Sequence, residues 1–120
     1  MPPVKTAAEL VAEAKASGPC CTPAEAAKRL AADPKLVLVD LREPPEQEQA
    51  RIARAASAPR GVLEFQIEKI APDRKQPILL HCAGGGRAAL GAKSLAQLGY
   101  ENVTAVVGPF EELKRAVEGG

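Results

Sequence analysis

Cys82 heads the segment Cys82-Ala83-Gly84-Gly85-Gly86-Arg87, entered from Pro77-Ile78-Leu79-Leu80-His81 and left through Ala88-Ala89-Leu90. An apolar run before it reads as a strand, and the residues after it read as a helix. A cysteine followed by three glycines at such a junction predicts a cradle of backbone N–H groups, because glycine reaches angles that side chains forbid. A helix N-terminus of this kind binds anions and favours a thiolate over a thiol. Arg87 adds a fixed charge and a planar donor fork. The chemistry implied is nucleophilic attack by Cys82 on a sulfur or oxyanion substrate. The N–H groups of Ala83, Gly84, Gly85, Gly86 and Arg87 would hold an incoming anion, or a persulfide carried on Cys82.

The elements that must position this loop are legible as punctuation and periodicity. Thr6-Ala7-Ala8-Glu9 and Thr22-Pro23-Ala24-Glu25 both read as capping boxes, the second with proline at the first helical position. Ala7, Leu10, Val11 and Ala14 give the first helix an apolar stripe, and Ala26, Ala27, Leu30 and Ala31 the second. Cys20-Cys21 between them reads as a strand end or a turn. The run 36–39 reads as a strand buried on both faces and ends at Asp40. Residues 43–49 are polar and suit a loop with a short surface helix; 55–59 suit a weak extended segment. Leu63, Ile67 and Ile70 predict a helix over 61–70. Residues 78–80 and 103–107 are further strands, with a helix over 87–98 ended by Gly99. Phe110, Leu113 and Val117 line a last helix. Strands alternating with helices predict an α/β fold with a central, mainly parallel sheet flanked by helices. Sites in such sheets form beyond the carboxyl ends of strands, where Asp40 and Cys82 both fall.

The bulk properties narrow the class. The chain has 120 residues, enough for one domain with its own core; it is 46% hydrophobic but only 2% aromatic, so the core must be aliphatic. A net charge of +1 without a basic run argues against nucleic-acid binding. Three cysteines make an odd count with no framework or metal-ligand spacing, so no metal is expected and a reducing compartment is the simpler context. No segment is long and apolar enough for a membrane span, and the N-terminus has no apolar signal core. A cytoplasmic enzyme is the expectation.

Two families offer comparison at the loop. Protein tyrosine phosphatases resemble it in placing a His-Cys pair before an arginine, but they set five residues between cysteine and arginine and follow with Ser or Thr. Here four residues separate Cys82 from Arg87, and Ala88 follows. The shorter loop suits a single sulfur better than a phosphoryl group. From about residue 20 to 118 the chain resembles the rhodanese family of single-domain sulfurtransferases. The opening segment Thr22-Pro23-Ala24-Glu25-Ala26, the signature Asp40-Leu41-Arg42-Glu43, the segment Ala58–Phe65, the loop His81–Arg87 and the lead Leu98-Gly99-Tyr100-Glu101-Asn102-Val103 occur in the family's order.

The resemblance implies a rhodanese-like domain over 20–120, behind an N-terminal helical extension at 1–19. It implies thiosulfate sulfurtransfer by double displacement: Cys82 takes the outer sulfur of thiosulfate, and a thiophilic acceptor removes it. The partners implied are a small anionic sulfur donor and a cyanide or thiol acceptor, a thioredoxin-like protein among the candidates; no cofactor is needed. Arg87 favours thiosulfate or another anionic donor over mercaptopyruvate. A sulfur-relay carrier with little turnover on free thiosulfate is the alternative, and an arsenate reductase or phosphatase the more distant one.

Departures from the family pattern fall beside the site. Its His-Ile-Pro-Gly-Ala segment stands here as Arg51-Ile52-Ala53-Arg54-Ala55, its Gly-Gly before the last helix as Gly108-Pro109, and its tryptophan in that helix as Leu113. Asp40 and Arg42 are expected to pair and support the loop, with direct contact between Arg42 and substrate as the alternative, and Arg60 either charges the rim or is solvated. His81 should point to the face opposite Cys82 and pack rather than act as a base. Cys20 and Cys21 read as small, partly exposed residues, with a resolving thiol as the sharper alternative. The first helix is expected to pack back on the domain, with a dimer contact as the alternative.

Overall fold

The computed structural model describes residues 4–119. The chain runs α1 (Ala7–Ser17), β1 (Cys20–Cys21), α2 (Pro23–Ala32), β2 (Val37–Asp40), α3 (Pro44–Gln49), β3 (Ala56–Ser57), a 3-10 turn (Arg60–Val62), α4 (Leu63–Ile70), β4 (Ile78–His81), α5 (Gly86–Gln97), β5 (Val103–Val106) and α6 (Phe110–Glu118). The five strands form one sheet in the order β1-β5-β4-β2-β3. Every pairing is parallel, with Asp40 opposite His81 at the carboxyl ends of β2 and β4. The ambiguous Cys20-Cys21 pair is thus a two-residue edge strand, in register with Ala105 and Val106.

Alternation along the strands divides the core into two layers. Val39, Ile78, Leu80 and Cys82 pack with Leu63, Ile67, Ala88, Ala89 and Leu95 from α4 and α5. Leu38, Leu79 and Val106 pack with Ala26, Leu30, Phe110 and Leu113 from α2 and α6. The small residues of α5 are what let it lie close on the sheet: a Cβ at Gly91 would come within 2.8 Å of Leu41 Cδ1 and 2.9 Å of Leu63 Cδ2. Leu113, in the place of the family's tryptophan, is fully buried in the second layer.

The caps fix where the helices begin and end. Thr22 and Glu25 close a reciprocal capping box, at 3.1 and 2.8 Å. Thr6 accepts from the Glu9 N–H at 3.1 Å, but the Glu9 carboxylate takes the Thr6 hydroxyl at 3.2 Å, so the first box has only one of its backbone bonds. Gly99 has φ +93 and ends α5 as expected. The stripe on α1 is narrower than its spacing predicts. Ala14 is buried and Val11 half-buried, whereas Ala7 and Leu10 stay exposed. The helix packs chiefly against α5, and Ala14 is its one buried residue among the described residues.

Candidate active site

The turn from β4 into α5 is held by a neighbouring segment. The Gly108 N–H donates to the Gly84 carbonyl at 3.1 Å, and the Phe110 N–H donates to the Ala83 carbonyl at 3.0 Å. Both carbonyls are thereby tied to the stretch between β5 and α6. Gly85 has φ +122, and a Cβ there would stand 3.0 Å from Val107 Cα. Only glycine combines that angle with that approach. The result is that the Gly85 N–H donates to Cys82 Sγ at 3.1 Å. The first α5 helical bond is Ala89 N–H to Gly85 carbonyl, so the N–H groups of the first turn lack intrahelical acceptors. Gly108, with φ +151, allows Pro23 to pack at its Cα, where a Cβ would meet the ring at 2.6 Å. The Gly108-Pro109 departure from the family therefore keeps the one glycine this contact requires.

Cys82 is 3% exposed, and Ala83 and Gly84 beside it are exposed. Cys82 thus sits in the floor of the turn and its neighbours form the rim. Arg87 is half-buried in the first turn of α5 and faces α3. Its guanidinium makes two bonds to the Glu46 carboxylate, at 2.7 and 3.1 Å. That pairing, with a further backbone bond at Glu43, holds the Glu46 carboxyl down to about 2. The same bond raises the Arg87 pKa, and Cys82 beside it adds to the effect.

Glu46 is the site residue that sequence reasoning missed. Glu43, Glu46 and Glu48 are equivalent by composition, but the two prolines at the start of α3 set Glu46 at the third helical position. There its carboxylate also accepts from the Glu43 N–H at 2.9 Å. That N-terminal pattern was the available signal.

Beneath the rim, Arg42 and Asp40 form the expected pair. Two guanidinium bonds reach the Asp40 carboxylate at 3.1 and 2.9 Å, and a third reaches the Ala50 carbonyl at 2.8 Å. The guanidinium also lies 3.6 Å from the centroid of the Phe110 ring. His81 points to this side of the sheet, opposite Cys82, and stacks on Phe110 at 5.8 Å. Its Nε2 is 3.8 Å from Asp40 Oδ2, too far for a hydrogen bond, and neither ring nitrogen has a partner among the described residues. Burial pushes its pKa down, against the pull of Asp40 and with the help of Arg42.

Arg60 is engaged elsewhere. It pairs with Glu64 at 2.8 Å, and Glu64 also accepts from the Ser94 hydroxyl at 2.5 Å. Cys20 is exposed and Cys21 half-buried, and all three cysteines are free thiols. Burial raises the Cys21 pKa. Among the described residues no cluster of His, Cys, Asp and Glu could hold a metal ion, and no helix is long and apolar enough to cross a membrane.

The family model of the rhodanese-like domain matches residues 22–116, a span that includes the Cys82 turn. The chain belongs to the rhodanese-like domain family. Among its rhodanese-like relatives, the thiosulfate sulfurtransferase GlpE of Coxiella burnetii is 29% identical over 79 residues, 66% of this chain and 72% of that protein. The solved polysulfide-sulfur transferase homodimer of Wolinella succinogenes is 27% identical and superposes with a TM-score of 0.71, over 87% of this chain and 78% of that one. A Rhodopseudomonas palustris structure described as a protein of unknown function and possible tyrosine phosphatase is 31% identical, with a TM-score of 0.79, over 97% of this chain and 96% of that one. That last match includes α1, which lies outside the family match.

Proposed function

We propose that this rhodanese-like protein is a sulfurtransferase that carries sulfane sulfur on Cys82. The Cys82 thiolate attacks the outer sulfur of thiosulfate or a related donor. A bond forms between Sγ and that sulfur, the donor's S–S bond breaks, and sulfite leaves with the bonding pair. A thiophilic acceptor then attacks the outer sulfur, and Cys82 leaves as thiolate. The observation that carries this reading is the 3.1 Å bond from the Gly85 N–H to Cys82 Sγ. It aims a backbone donor at Sγ, and the N–H groups left without intrahelical acceptors in the first turn of α5 are donors of the kind that a bound sulfur anion requires. Asp40 and Arg42 support the loop from below, and Arg60 is held off by Glu64.

The relay alternative has its own support. Arg87 is paired with Glu46, so it meets free thiosulfate as half of an ion pair. A persulfide delivered by a donor protein needs no free guanidinium. A phosphatase reading fits less well, because the same pairing occupies the fork that a phosphoryl group would require.

Intact mass of the reduced protein after thiosulfate, then after cyanide, tests the proposal beside a Cys82→Ala control. One added sulfur that depends on Cys82 and leaves as thiocyanate is expected. An adduct only from a protein persulfide would favour the relay. No adduct from either donor, with phosphatase activity present, would overturn sulfur transfer.

A further inference from the structure

An open cavity of about 320 Å³ adjoins the loop at Ala83, the residue after the nucleophile. Its walls include Arg42, Glu46, Gln49, Phe110 and Glu111, from the β2–α3 connection, α3 and the start of α6. The charges on these walls are not equivalent. Arg42 is 5% exposed and is matched by Asp40 at 2.9 Å. Its guanidinium covers the Phe110 ring, so the aromatic face is already occupied by a cation. Glu46 is matched by Arg87 at 2.7 Å. Glu111 is exposed, and among the described residues its carboxylate enters no ion pair. The cavity beside Ala83 thus carries one unmatched negative charge.

We propose that this cavity admits the acceptor thiol and that Glu111 selects acceptors with a positive charge near the sulfur, such as a small aminothiol, over anionic thiols. The inference rests on the sulfur-transfer reading. The acceptor's thiolate attacks the outer sulfur of the Cys82 persulfide. The Sγ–S bond breaks, Cys82 departs as thiolate, and the acceptor leaves as its own persulfide. An ammonium group two carbons from the attacking sulfur offsets the repulsion between that thiolate and the persulfide, and Glu111 gives the ammonium a counter-ion. A carboxylate in the same place meets Glu111 directly. A single charge about 10 Å away through solvent changes a rate about twofold for each sign, so the preference for cation over anion is about fourfold. Added salt narrows it.

The test separates charge selection from sulfur transfer. Reduced protein is treated with cystamine or dithiodiglycolate, and the mixed disulfide at Cys82 is followed by peptide mapping. In this step Sγ bonds to one half of the reagent and the other half leaves as thiolate, so no persulfide is required. The ratio of the cystamine rate to the dithiodiglycolate rate at Cys82 is expected to fall about fourfold in Glu111→Gln. Cys20, exposed on the edge strand, is the internal reference and its ratio should stay constant. Glu101→Gln, at the opposite end of the sheet, makes the same change in net charge and should leave the ratio at Cys82 in place. An unchanged ratio at Cys82 in Glu111→Gln, an equal fall in Glu101→Gln, or no reaction of Cys82 with either disulfide overturns the proposal. A second arm discharges persulfide-loaded protein with cysteamine or mercaptoacetate and should show the same dependence on Glu111. Failure to load a persulfide would count against the sulfur-transfer reading alone, because the disulfide arm still judges Glu111.

Discussion

Arg87 and Glu46, 41 residues apart in the chain, close a two-bond ion pair at 2.7 and 3.1 Å between α5 and α3. The pair positions the arginine and also cancels its charge, and the two effects oppose each other for an anionic donor. Charge governs the ground-state encounter, so Glu46→Gln should lower the KM for thiosulfate by about fivefold, as expected for removing one nearby like charge. The freed guanidinium is less well placed, and kcat should fall. Initial rates of thiocyanate formation give both constants. A raised KM would mean that positioning outweighs charge.

Arg42 is almost fully buried with Asp40 and the Ala50 carbonyl. Removing one partner of such a pair leaves a buried charge without compensation and costs about 3–5 kcal/mol. Arg42→Ala should therefore destabilise the fold by that amount in urea unfolding. Its contact with Phe110 would be lost as well. A loss below about 1 kcal/mol, the range of solvent-exposed pairs, would show that water enters and replaces the guanidinium.

Gly85 and Gly84 are neighbours with opposite tolerances. Alanine at 85 must hold φ +122 and place its Cβ 3.0 Å from Val107 Cα, whereas at 84 nothing lies within 4 Å. Backbone strain of this kind costs about 1–3 kcal/mol. Gly85→Ala should lose that much stability, and its N–H should turn from Cys82, slowing sulfur loading at least about tenfold if the lost bond is worth ~1.4 kcal/mol. Gly84→Ala should stay within about 0.5 kcal/mol of the parent, as surface changes usually do. Chemical denaturation and loading kinetics on the two variants check the contrast. Equal behaviour would show that the loop rearranges freely.

Much of this arrangement is legible in the residues alone. The runs at 36–39, 78–80 and 103–107 are β2, β4 and β5 to within one residue, because a strand buried on both faces must be continuously apolar. Period-two alternation places His81 opposite Cys82. What escapes such reading depends on packing partners. Leu10 shares the spacing of Val11 and Ala14, yet nothing in the sequence says which side of α1 meets α5. Glu46 escapes because its partner lies on another helix, and Arg60 because Glu64 one turn away competes for it.

His81 supplies a test that needs no substrate. It is the one histidine in the chain, is 1% exposed, and has no hydrogen-bond partner on either ring nitrogen among the described residues. Asp40 and Arg42 are the charged groups beside it, and burial outweighs the attraction of Asp40, so its folded pKa lies below the ordinary 6.5. The sign follows from proton uptake. Below pH 6.5 the unfolded chain binds a proton that the folded chain refuses, so folding stability is fully present above that pH and falls as pH drops toward the folded pKa. The slope approaches about 1.4 kcal/mol per pH unit. His81→Phe keeps an aromatic ring against Phe110 and removes the titration. Whatever its packing cost, the difference in unfolding free energy between pH 6.5 and pH 5 should shrink relative to the parent by up to about 2 kcal/mol. Urea unfolding across that range reads the slope directly. An unchanged slope would mean that folding does not lower the His81 pKa, and a larger difference in the variant would mean that Asp40 holds His81 charged.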